Sequence, residues 1–264
     1  MAAERKVALV TGASSGIGAQ LARIHAERGG DLIVVARRRE RLEALKTELE
    51  ATHGVTVHVL PKDLAQAGAP QEIQDEVRAL GVPVDYLVNN AGFGLRGFFH
   101  KQDWAINEAM IKVNILSLAA LTRLFLPEMV ARGSGRVLNV ASMAGFLPGP
   151  LNAVYYASKA FVLSFSEALA NELAGTGVTV TALCPGPTET EFNQTAQMRN
   201  VRLAQLMASA HEIAEVGYQA MLEGKTVVVP GLINKITIHG LLRFSPRRLA
   251  TRISRTLMEK RGKG

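Results

Sequence analysis

The sequence predicts one doubly wound α/β domain: a mostly parallel seven-stranded sheet with helices on both faces. Short apolar runs alternate with helical segments of ten or more residues from the beginning of the chain, which is the order of strands and crossover helices. Most runs are continuously apolar rather than alternating, a pattern typical of parallel strands that are buried on both faces. A length of 264 residues with 48% apolar residues is sufficient for one such sheet with a single large core.

The predicted elements follow one another in a regular order. The first strand covers residues 7–10 and ends at a glycine-rich turn, after which residues 17–28 have a helical period. The second strand covers residues 32–35 and precedes a charged helix over residues 39–50. Further strands are predicted at residues 55–60, 84–88, 136–140, 178–183 and 226–229. No repeat or change of composition marks an earlier boundary, so we assign residues 1–230 to the sheet domain and residues 231–264 to a C-terminal extension.

The positive charge of the chain is concentrated near its C-terminal end. Residues 225–264 contain ten Lys and Arg residues and one acidic residue, which gives +9 and leaves −2 for residues 1–224. A body without a basic face disfavours a nucleic-acid partner. The single cysteine, Cys184, excludes an intrachain disulfide framework, and the charged N-terminal residues offer no secretory segment. We therefore expect a soluble, cytoplasmic protein in which Cys184 is buried and structural.

A glycine-rich loop lies between the first strand and the first helix. Glycines let the backbone turn tightly and approach a pyrophosphate, whose negative charge is met by the N-terminus of the following helix. The spacing differs from Gly-x-Gly-x-x-Gly, because three residues separate the first two glycines. A glycine-rich turn without a ligand is the alternative, but the preceding strand and following helix favour a dinucleotide site. The loop consists of Thr11, Gly12, Ala13, Ser14, Ser15, Gly16, Ile17 and Gly18.

A second group of residues has the chemistry needed for carbonyl reduction. Tyr155 and Lys159 are four residues apart and hence neighbours on one helix face, whereas Tyr156 has no lysine at that spacing. Ser142 follows the fifth strand, and Asn114 lies on an earlier helix. Each residue alone has an ordinary structural explanation, but their order behind a dinucleotide loop favours a catalytic set. Hydride delivered to a carbonyl carbon leaves charge on the oxygen, which requires an acid and a hydrogen-bond donor.

These landmarks resemble the short-chain dehydrogenase/reductase family over residues 5–190. The resemblance implies that Tyr155 is the proton donor in reduction, Ser142 the oxyanion partner, and Asn114 the residue that positions a water in the proton relay. It also implies that Tyr155 and Lys159 contact the cofactor, with Lys159 on the nicotinamide ribose. A lysine cation about 4 Å away would bring the pKa of Tyr155 from about 10 toward neutrality. The other implied cofactor positions are Asp63 and Leu64 at the adenine, Asn90, Ala91 and Gly92 along the cofactor channel, and Pro185, Gly186, Thr188 and Thr190 after the sixth strand.

The residues after the second strand bear on which nicotinamide cofactor binds. An acidic residue there would accept a hydrogen bond from the ribose 2′-hydroxyl and repel a 2′-phosphate. This chain has Ala36 followed by Arg37, Arg38 and Arg39, and a guanidinium can pair with a phosphate through two hydrogen bonds. We therefore expect NADP(H) to be favoured over NAD(H), with Arg37 on the 2′-phosphate because it lies nearest the strand. The alternative, that the arginines cap and solvate the next helix, is what we expect of Arg39 and leave open for Arg38.

The substrate should be lined by the segments after the fourth to sixth strands, because open parallel sheets bind ligands at their carboxyl edge. These segments, residues 93–99, 143–152 and 188–207, are rich in Phe, Leu and Met and favour a mainly apolar carbonyl compound or secondary alcohol. A non-catalytic dinucleotide sensor or scaffold on the same fold is the alternative, which the complete Asn-Ser-Tyr-Lys set disfavours. The six histidines show no spacing of metal ligands, so no metal site is predicted.

The extension ends in a predicted amphipathic helix after Pro246. Its apolar stripe recurs every four residues, at Leu249, Ile253 and Leu257. A basic cluster lies opposite the stripe, at Arg248, Arg252 and Arg255. We expect the stripe to pack on the body of the protein or on a second subunit of a dimer or tetramer. Peripheral contact with an anionic membrane is the alternative, since a basic amphipathic helix can lie in such an interface.

Overall fold

Seven strands form one parallel sheet. They are β1 (Val7–Thr11), β2 (Asp31–Ala36), β3 (Val57–Pro61), β4 (Tyr86–Asn89), β5 (Gly135–Val140), β6 (Val178–Leu183) and β9 (Val227–Val228). Two short strands, β7 (Thr188–Glu189) and β8 (Ala208–Ser209), pair with each other. The sheet order β3-β2-β1-β4-β5-β6-β9 reverses direction between β1 and β4, which is the switch point of a doubly wound fold. The predicted fold class is confirmed.

This computed structural model describes residues 5–189, 208–242 and 246–260 of the chain. Its α-helices are α1 (Gly16–Glu27), α2 (Arg39–His53), α3 (Ala69–Leu80), α4 (Trp104–Ile111), α5 (Leu118–Ala131), α6 (Ala153–Glu172), α7 (Ala210–Leu222), α8 (Leu232–Lys235) and α9 (Arg247–Lys260). A π-helical segment, Lys112–Ser117, joins α4 to α5, and another, Ile236–Leu242, follows α8. Short 3₁₀ turns lie at Phe99–Lys101 and Met143–Phe146.

Two apolar layers hold the helices on opposite faces of the sheet. Successive residues of β1 point to opposite faces, so that Ala8 and Val10 contribute to one layer and Val7 and Leu9 to the other. Helices α1, α2 and α7 complete the first layer, and α3, α5 and α6 complete the second. Every residue of β1 is therefore buried, which is the reason that this strand is a continuous apolar run in the sequence.

One helical stretch, Trp104–Ala131, has the length and apolar composition needed to cross a membrane. It consists of α4, the first π-helical segment and α5. Leu121, Phe125 and Met129 of α5 are buried in the second apolar layer. Packing against the sheet accounts for the apolar residues on this face of α5.

The C-terminal helix α9 buries a different stripe from the predicted one. Its buried positions are Ala250, Ser254 and Met258. Leu249 and Ile253 are 48% and 45% exposed, so they do not pack on the domain, and the expectation that they pack on a second subunit stays a prediction. The side chain of Leu257 lies outside the described residues. Small side chains let the helix approach the domain closely, and Arg96 Nη2 donates a hydrogen bond of 2.6 Å to the Met258 carbonyl oxygen.

A buried histidine ties three elements together at the amino-terminal edge of the sheet. His25 of α1 has Nε2 2.9 Å from the Lys6 carbonyl oxygen, before β1, and Nδ1 2.7 Å from the Tyr218 hydroxyl of α7. Since a carbonyl oxygen can only accept, the ring donates from Nε2, and its Nδ1 accepts from Tyr218. Burial lowers the pKa of His25 more than the hydrogen bond to the Lys6 carbonyl raises it.

We predict that His25 makes the fold less stable in acid. Below about pH 6.5 the unfolded chain protonates this histidine, whereas the folded chain, with its lower pKa, does so only at a more acid pH. The unfolding free energy of the native protein should therefore fall as the pH drops below about 6.5, and that of His25→Gln should fall less. Urea denaturation at neutral and mildly acid pH measures both changes, and equal losses in the two proteins would contradict the prediction.

Candidate active site

The glycine-rich loop after β1 is held against the end of β4. Asn90 Nδ2 donates to the carbonyl oxygens of Thr11, at 2.9 Å, and Gly12, at 3.3 Å. Thr11 Oγ1 accepts from the backbone N–H of Asn90 at 3.0 Å and of Ala91 at 3.1 Å. A Cβ atom on Gly18 would lie 2.5 Å from the Gly12 carbonyl oxygen, so only glycine lets α1 start so close to the loop. The loop and the end of β4 are thus one connected unit.

The N-terminus of α1 faces this loop without a side-chain cap. Ser15 is the residue before the helix, and its side chain does not accept a hydrogen bond from the first turn. Gly12 and Gly16 have φ angles of +68° and +57°, a conformation that turns the backbone sharply and favours glycine. Ile17 packs into the first apolar layer and holds the helix in place. Uncapped N–H groups at a helix N-terminus fit the pyrophosphate of a dinucleotide.

A guanidinium lies over the loop, and it belongs to Arg38 rather than to Arg37. Arg38 Nη2 donates to Ser14 Oγ and to Ser15 Oγ, both at 3.1 Å. Arg37 is exposed, and Arg39 pairs with a carboxylate of its own helix at 3.6 Å. The sequence-based choice of Arg37 considered only distance along the chain. Because successive side chains of an extended segment point in opposite directions, the nearest arginine is not the one that reaches the loop.

The predicted adenine-side positions lie directly after β3, at the same edge of the sheet. Asp63 Oδ1 accepts from the backbone N–H of Ala65 at 3.0 Å, which fixes the turn. Leu64 is buried, and its carbonyl oxygen accepts from Ser117 Oγ at 2.6 Å. This hydrogen bond connects the turn after β3 to the π-helical segment that contains Asn114.

The predicted positions after β6 complete this edge. The Pro185 carbonyl oxygen accepts from the backbone N–H of Met143 at 2.9 Å. Thr188 Oγ1 donates to the Gly186 carbonyl oxygen at 3.0 Å. Thr190 lies outside the described residues, as does the rest of the third substrate segment up to residue 207.

Tyr155 and Lys159 lie side by side on α6 with Ser142 next to them. Both side chains are buried, and Lys159 Nζ is 5.8 Å from the centre of the Tyr155 ring. Lys159 Nζ donates to the Val140 carbonyl oxygen at 2.7 Å, at the end of β5. Tyr155 shares a side-chain hydrogen bond with Ser142, whose Oγ accepts from the Ala144 N–H at 3.1 Å. The structure therefore brings three of the four predicted catalytic residues into one cluster.

Burial dominates the ionisation of this cluster. It raises the pKa of Tyr155 to about 12, although the hydrogen bond with Ser142 acts in the opposite direction. It also lowers the pKa of Lys159 to about 8. In this structure the pKa of Tyr155 lies above its ordinary value rather than near neutrality, because desolvation of the phenol is the largest influence on it. At neutral pH Tyr155 is protonated, which is the form that a proton donor needs.

Asn114, the fourth predicted residue, acts in this structure as a link between the loop after β4 and α6. Its Oδ1 accepts from the Phe93 N–H at 3.1 Å, and its Nδ2 donates to the Phe93 carbonyl oxygen at 3.0 Å. The same Nδ2 donates to Ser158 Oγ at 3.0 Å, and Ser158 donates to the Tyr155 carbonyl oxygen at 2.7 Å. Sequence reasoning missed Ser158, although its place between Tyr155 and Lys159 was a signal.

Gly92 lies where the cofactor channel meets this cluster. A Cβ atom at Gly92 would be 3.1 Å from Asn114 Oδ1 and 3.4 Å from Lys159 Nζ. The predicted channel position thus lies beside two of the predicted catalytic residues. A side chain at this position would crowd Asn114 and Lys159, so glycine fits it best.

A second missed position lies at the start of α6. Asn152 is 1% exposed, and neither atom of its amide has a partner among the residues that the structure describes. Leu151 has a φ angle of +66°, which is strained for a residue with a side chain. Its carbonyl oxygen accepts from the Gly97 N–H at 2.8 Å and joins two of the predicted substrate segments. An unpaired buried amide beside a strained residue is typical of a functional position.

Apolar side chains surround Tyr155 on the substrate side. Two of them, Phe93 and Leu95, come from the loop after β4 that was predicted to line the substrate. The remaining members of the cluster are Met110, Ala144, Val154 and Tyr156. This arrangement keeps water away from the phenol and favours an apolar group beside it.

Comparisons with known proteins agree with this geometry. The sequence profile described as short chain dehydrogenase matches residues 6–200. A ketoacyl reductase of Nostoc sp. is 35% identical over 181 residues, which are 69% of this chain and 63%, less than two thirds, of that relative. An NADP-dependent 3-hydroxy acid dehydrogenase of Salmonella typhi is 42% identical over 185 residues, which are 68% of this chain and 71% of the relative.

A solved structure is similar over nearly the whole chain. It is a short-chain dehydrogenase from Sphingobium yanoikuyae in complex with NADPH, with 32% sequence identity and a TM-score of 0.81. The similarity covers 91% of this chain and 96% of that one. The profile match, the shared strand order and the dinucleotide crevice lead to one conclusion. This chain belongs to the short-chain dehydrogenase/reductase family of oxidoreductases, whose fold binds a nicotinamide dinucleotide.

Proposed function

We propose that this protein is an NADP(H)-dependent oxidoreductase that transfers a hydride between the nicotinamide and a carbonyl or secondary alcohol of a mainly apolar substrate. The observation that carries the proposal is the buried cluster of Tyr155, Lys159 and Ser142 at the carboxyl edge of the sheet, beside the dinucleotide loop. A sensor or scaffold on the same fold would need the loop and not this cluster, so we favour an enzyme.

In the proposed reduction, the protein acts on the carbonyl oxygen of the substrate. When bound, a nicotinamide cofactor would supply the hydride to the carbonyl carbon. Tyr155 donates its proton to the oxygen as negative charge develops there, and Ser142 donates a hydrogen bond to the same oxygen. The Tyr155 phenolate that remains is stabilised by Ser142 and by the ammonium of Lys159, until a proton from solvent restores the phenol. The oxidation of an alcohol follows the same steps in reverse.

We propose that NADP(H) is favoured over NAD(H). Arg38 supports this choice, since its guanidinium is already oriented over Ser14 and Ser15 at the loop. No acidic side chain follows β2 at Ala36, where one would select the ribose 2′-hydroxyl. Arg38 is therefore our first candidate for the 2′-phosphate, and Arg37, the choice from sequence, remains the second. The relative named as NADP-dependent and the similar structure with NADPH support the same cofactor.

We also propose that the protein is a homo-oligomer, a dimer or a tetramer. Large apolar side chains are exposed on the outer surface of helices α4 and α6 and of the π-helical segment between α4 and α5, at Trp104, Leu116 and Phe161. A second subunit could cover them, as is usual for exposed apolar groups of this size. The proposed location is the cytoplasm, where a single buried cysteine such as Cys184 remains reduced.

We predict that Tyr155→Phe abolishes most of the turnover. The substitution removes the acid and keeps the ring, and general acid catalysis contributes about 10²–10⁴-fold. The variant should retain its affinity for NADPH, measured by fluorescence titration. Tyr156→Phe is the matched control, because it removes a neighbouring hydroxyl that has no lysine one turn away, and it should keep most of the activity. If Tyr156→Phe loses the activity and Tyr155→Phe keeps it, our assignment of Tyr155 as the proton donor is wrong.

We predict that Arg38→Ala reduces the NADPH/NADH ratio of kcat/KM. Loss of a charge-assisted hydrogen bond of about 1.5–3 kcal/mol corresponds to roughly 10- to 150-fold. Arg39→Ala, which removes an exposed guanidinium already paired within α2, is the control and should leave the ratio unchanged. Arg37→Ala tests the assignment made from sequence. If the NADPH/NADH ratio changes in Arg37→Ala and not in Arg38→Ala, then Arg37 rather than Arg38 binds the 2′-phosphate.

We predict opposite pH dependences for the two directions of the reaction. Since burial raises the pKa of Tyr155 to about 12, the phenol needed for reduction is present throughout the neutral range. Reduction should therefore stay level between about pH 6 and 8, while oxidation, which needs the phenolate, should rise with pH. Initial rates with saturating cofactor measure both profiles. An oxidation rate that is independent of pH would argue against Tyr155 as the base.

A further inference from the structure

We propose that the C-terminal segment of this protein docks on an anionic lipid surface. We take the exposed side chains of α8, of the π-helical turn after it and of α9 together as the docking region, which we call the tail surface. Its apolar members are Leu232, Ile233, Ile236, Leu249 and Ile253, and its cationic members are Lys235, Arg248 and Arg252. This role goes beyond the proposed hydride transfer and does not depend on it.

The apolar members are unusual in how much of them is exposed. Leu232 and Ile233 are each 73% exposed, more than any other large apolar residue in the described part of the chain. Leu249 and Ile253 are exposed although they belong to a helix that packs on the domain. Single exposed apolar residues are ordinary, whereas several aliphatic side chains within one short segment indicate a surface that is covered in use.

Helix α9 has one side that packs on the domain and another side that is exposed. The helix packs on the domain with Ala250 and Ser254. Leu249 and Ile253, which are one turn apart, lie on a different side of the helix, and both are exposed. Arg248 and Arg252 are also one turn apart and directly precede these residues in the sequence. In the chain from residue 246 to 260, Arg255 pairs with Glu259 at 2.8 Å, and neither Arg248 nor Arg252 forms an ion pair with a described carboxylate.

Charge decides which partner fits the tail surface. Residues 225–264 carry +9 against −2 for residues 1–224, so two tails would repel each other, which disfavours tail-to-tail pairing of two copies of this chain. Anionic headgroups attract the cations, and guanidinium groups match phosphate oxygens. The acyl boundary below the headgroups takes up aliphatic side chains, as in basic amphipathic helices that lie in the membrane interface. A lipid surface therefore satisfies both halves of the tail surface, whereas an acidic protein surface satisfies mainly the cations.

The tail surface is held firmly on the domain. Ile238 is buried in one cluster with Cys184 and Val162, which fixes the segment after α8. Arg96 binds the last turn of α9 through the Met258 carbonyl oxygen, and the Arg255 guanidinium lies 5.8 Å from the centre of the Phe98 ring. Both Arg96 and Phe98 belong to the predicted substrate segment after β4. Docking through the tail would thus place that segment next to the lipid.

The test uses the full-length protein and vesicles of defined composition. Binding is measured by co-sedimentation with phosphatidylcholine vesicles that contain about 30% phosphatidylglycerol, and with pure phosphatidylcholine vesicles as the neutral comparison. We expect binding to the anionic vesicles at low salt, weaker binding at about 0.5 M salt, and little binding to the neutral vesicles. No binding of the intact protein to anionic vesicles at low salt would overturn the proposal.

Two pairs of variants separate the tail surface from the rest of the protein. Leu249→Gln/Ile253→Gln removes exposed apolar groups without lowering helix propensity much, and its control, Leu80→Gln/Val216→Gln, does the same on α3 and α7. Arg248→Glu/Arg252→Glu reverses two charges, and its control, Lys46→Glu/Arg78→Glu, changes the net charge equally elsewhere. We expect about a tenfold or greater loss of vesicle affinity in each tail variant and near-native affinity in each control.

Three results would overturn the proposal at this stage. If the tail variants bind anionic vesicles as the native protein does, another surface is responsible. If the charge controls lose affinity as much as the tail variants, the binding reflects net charge alone. If Leu249→Gln/Ile253→Gln changes the oligomeric state in light scattering without changing vesicle binding, a second subunit covers the apolar members. Circular dichroism and the thermal unfolding midpoint of the same variants show whether they are folded.

Discussion

The position of the glycine-rich loop depends on the hydrogen bonds that the backbone groups at the ends of β1 and β4 form with Thr11 and Asn90. At this switch point the connections leave in opposite directions, so the strand ends lose hydrogen-bond partners of the sheet. Thr11 and Asn90 replace them, through both their side chains and their backbone atoms. Each group left unpaired in the interior would cost about 1–3 kcal/mol. The same hydrogen bonds fix the glycine-rich loop against β4, and this fixed loop presents the N-terminus of α1 to a dinucleotide.

Desolvation is the largest influence on the pKa values of Tyr155 and Lys159 at the carboxyl edge of the sheet. Lys159 Nζ lies 5.8 Å from the centre of the Tyr155 ring, where a cation would favour a phenolate. Burial of the phenol is the larger effect, because the pKa of Tyr155 rises. Burial acts on Lys159 in the same sense, against its charged form. The phenol is therefore protonated at neutral pH, and Ser142 is the neighbour whose hydrogen bond lowers its pKa.

The sequence predicted the features of the fold that depend on composition and on the order of the residues. It could not predict features that depend on the direction of a side chain. The sheet followed from buried apolar runs. The proximity of Tyr155 to Lys159 followed from their four-residue spacing on one helix, and Ser142 from its place after β5, while the roles of the three residues stay a prediction. Arg38 could not be chosen in this way, since it reaches the loop through the extended backbone of the residue before α2, with φ −87° and ψ 92°. Asn152 was also hidden, because an unpaired buried amide has no sequence pattern.

The tail shows the same limit in another form. Residues 249 and 253 and residues 250 and 254 have the same spacing, so periodicity alone could not select the buried pair, and hydrophobicity favoured the wrong one. Burying a leucine or isoleucine would have contributed about 1.5–3 kcal/mol, which this packing forgoes in favour of a close approach by Ala250 and Ser254. The hydrogen bond from Arg96 to the last turn of α9 offsets part of that loss, since a cation is stabilising at a helix C-terminus. As Arg96 lies in the predicted substrate segment, whatever binds the tail acts on a helix that directly contacts this segment.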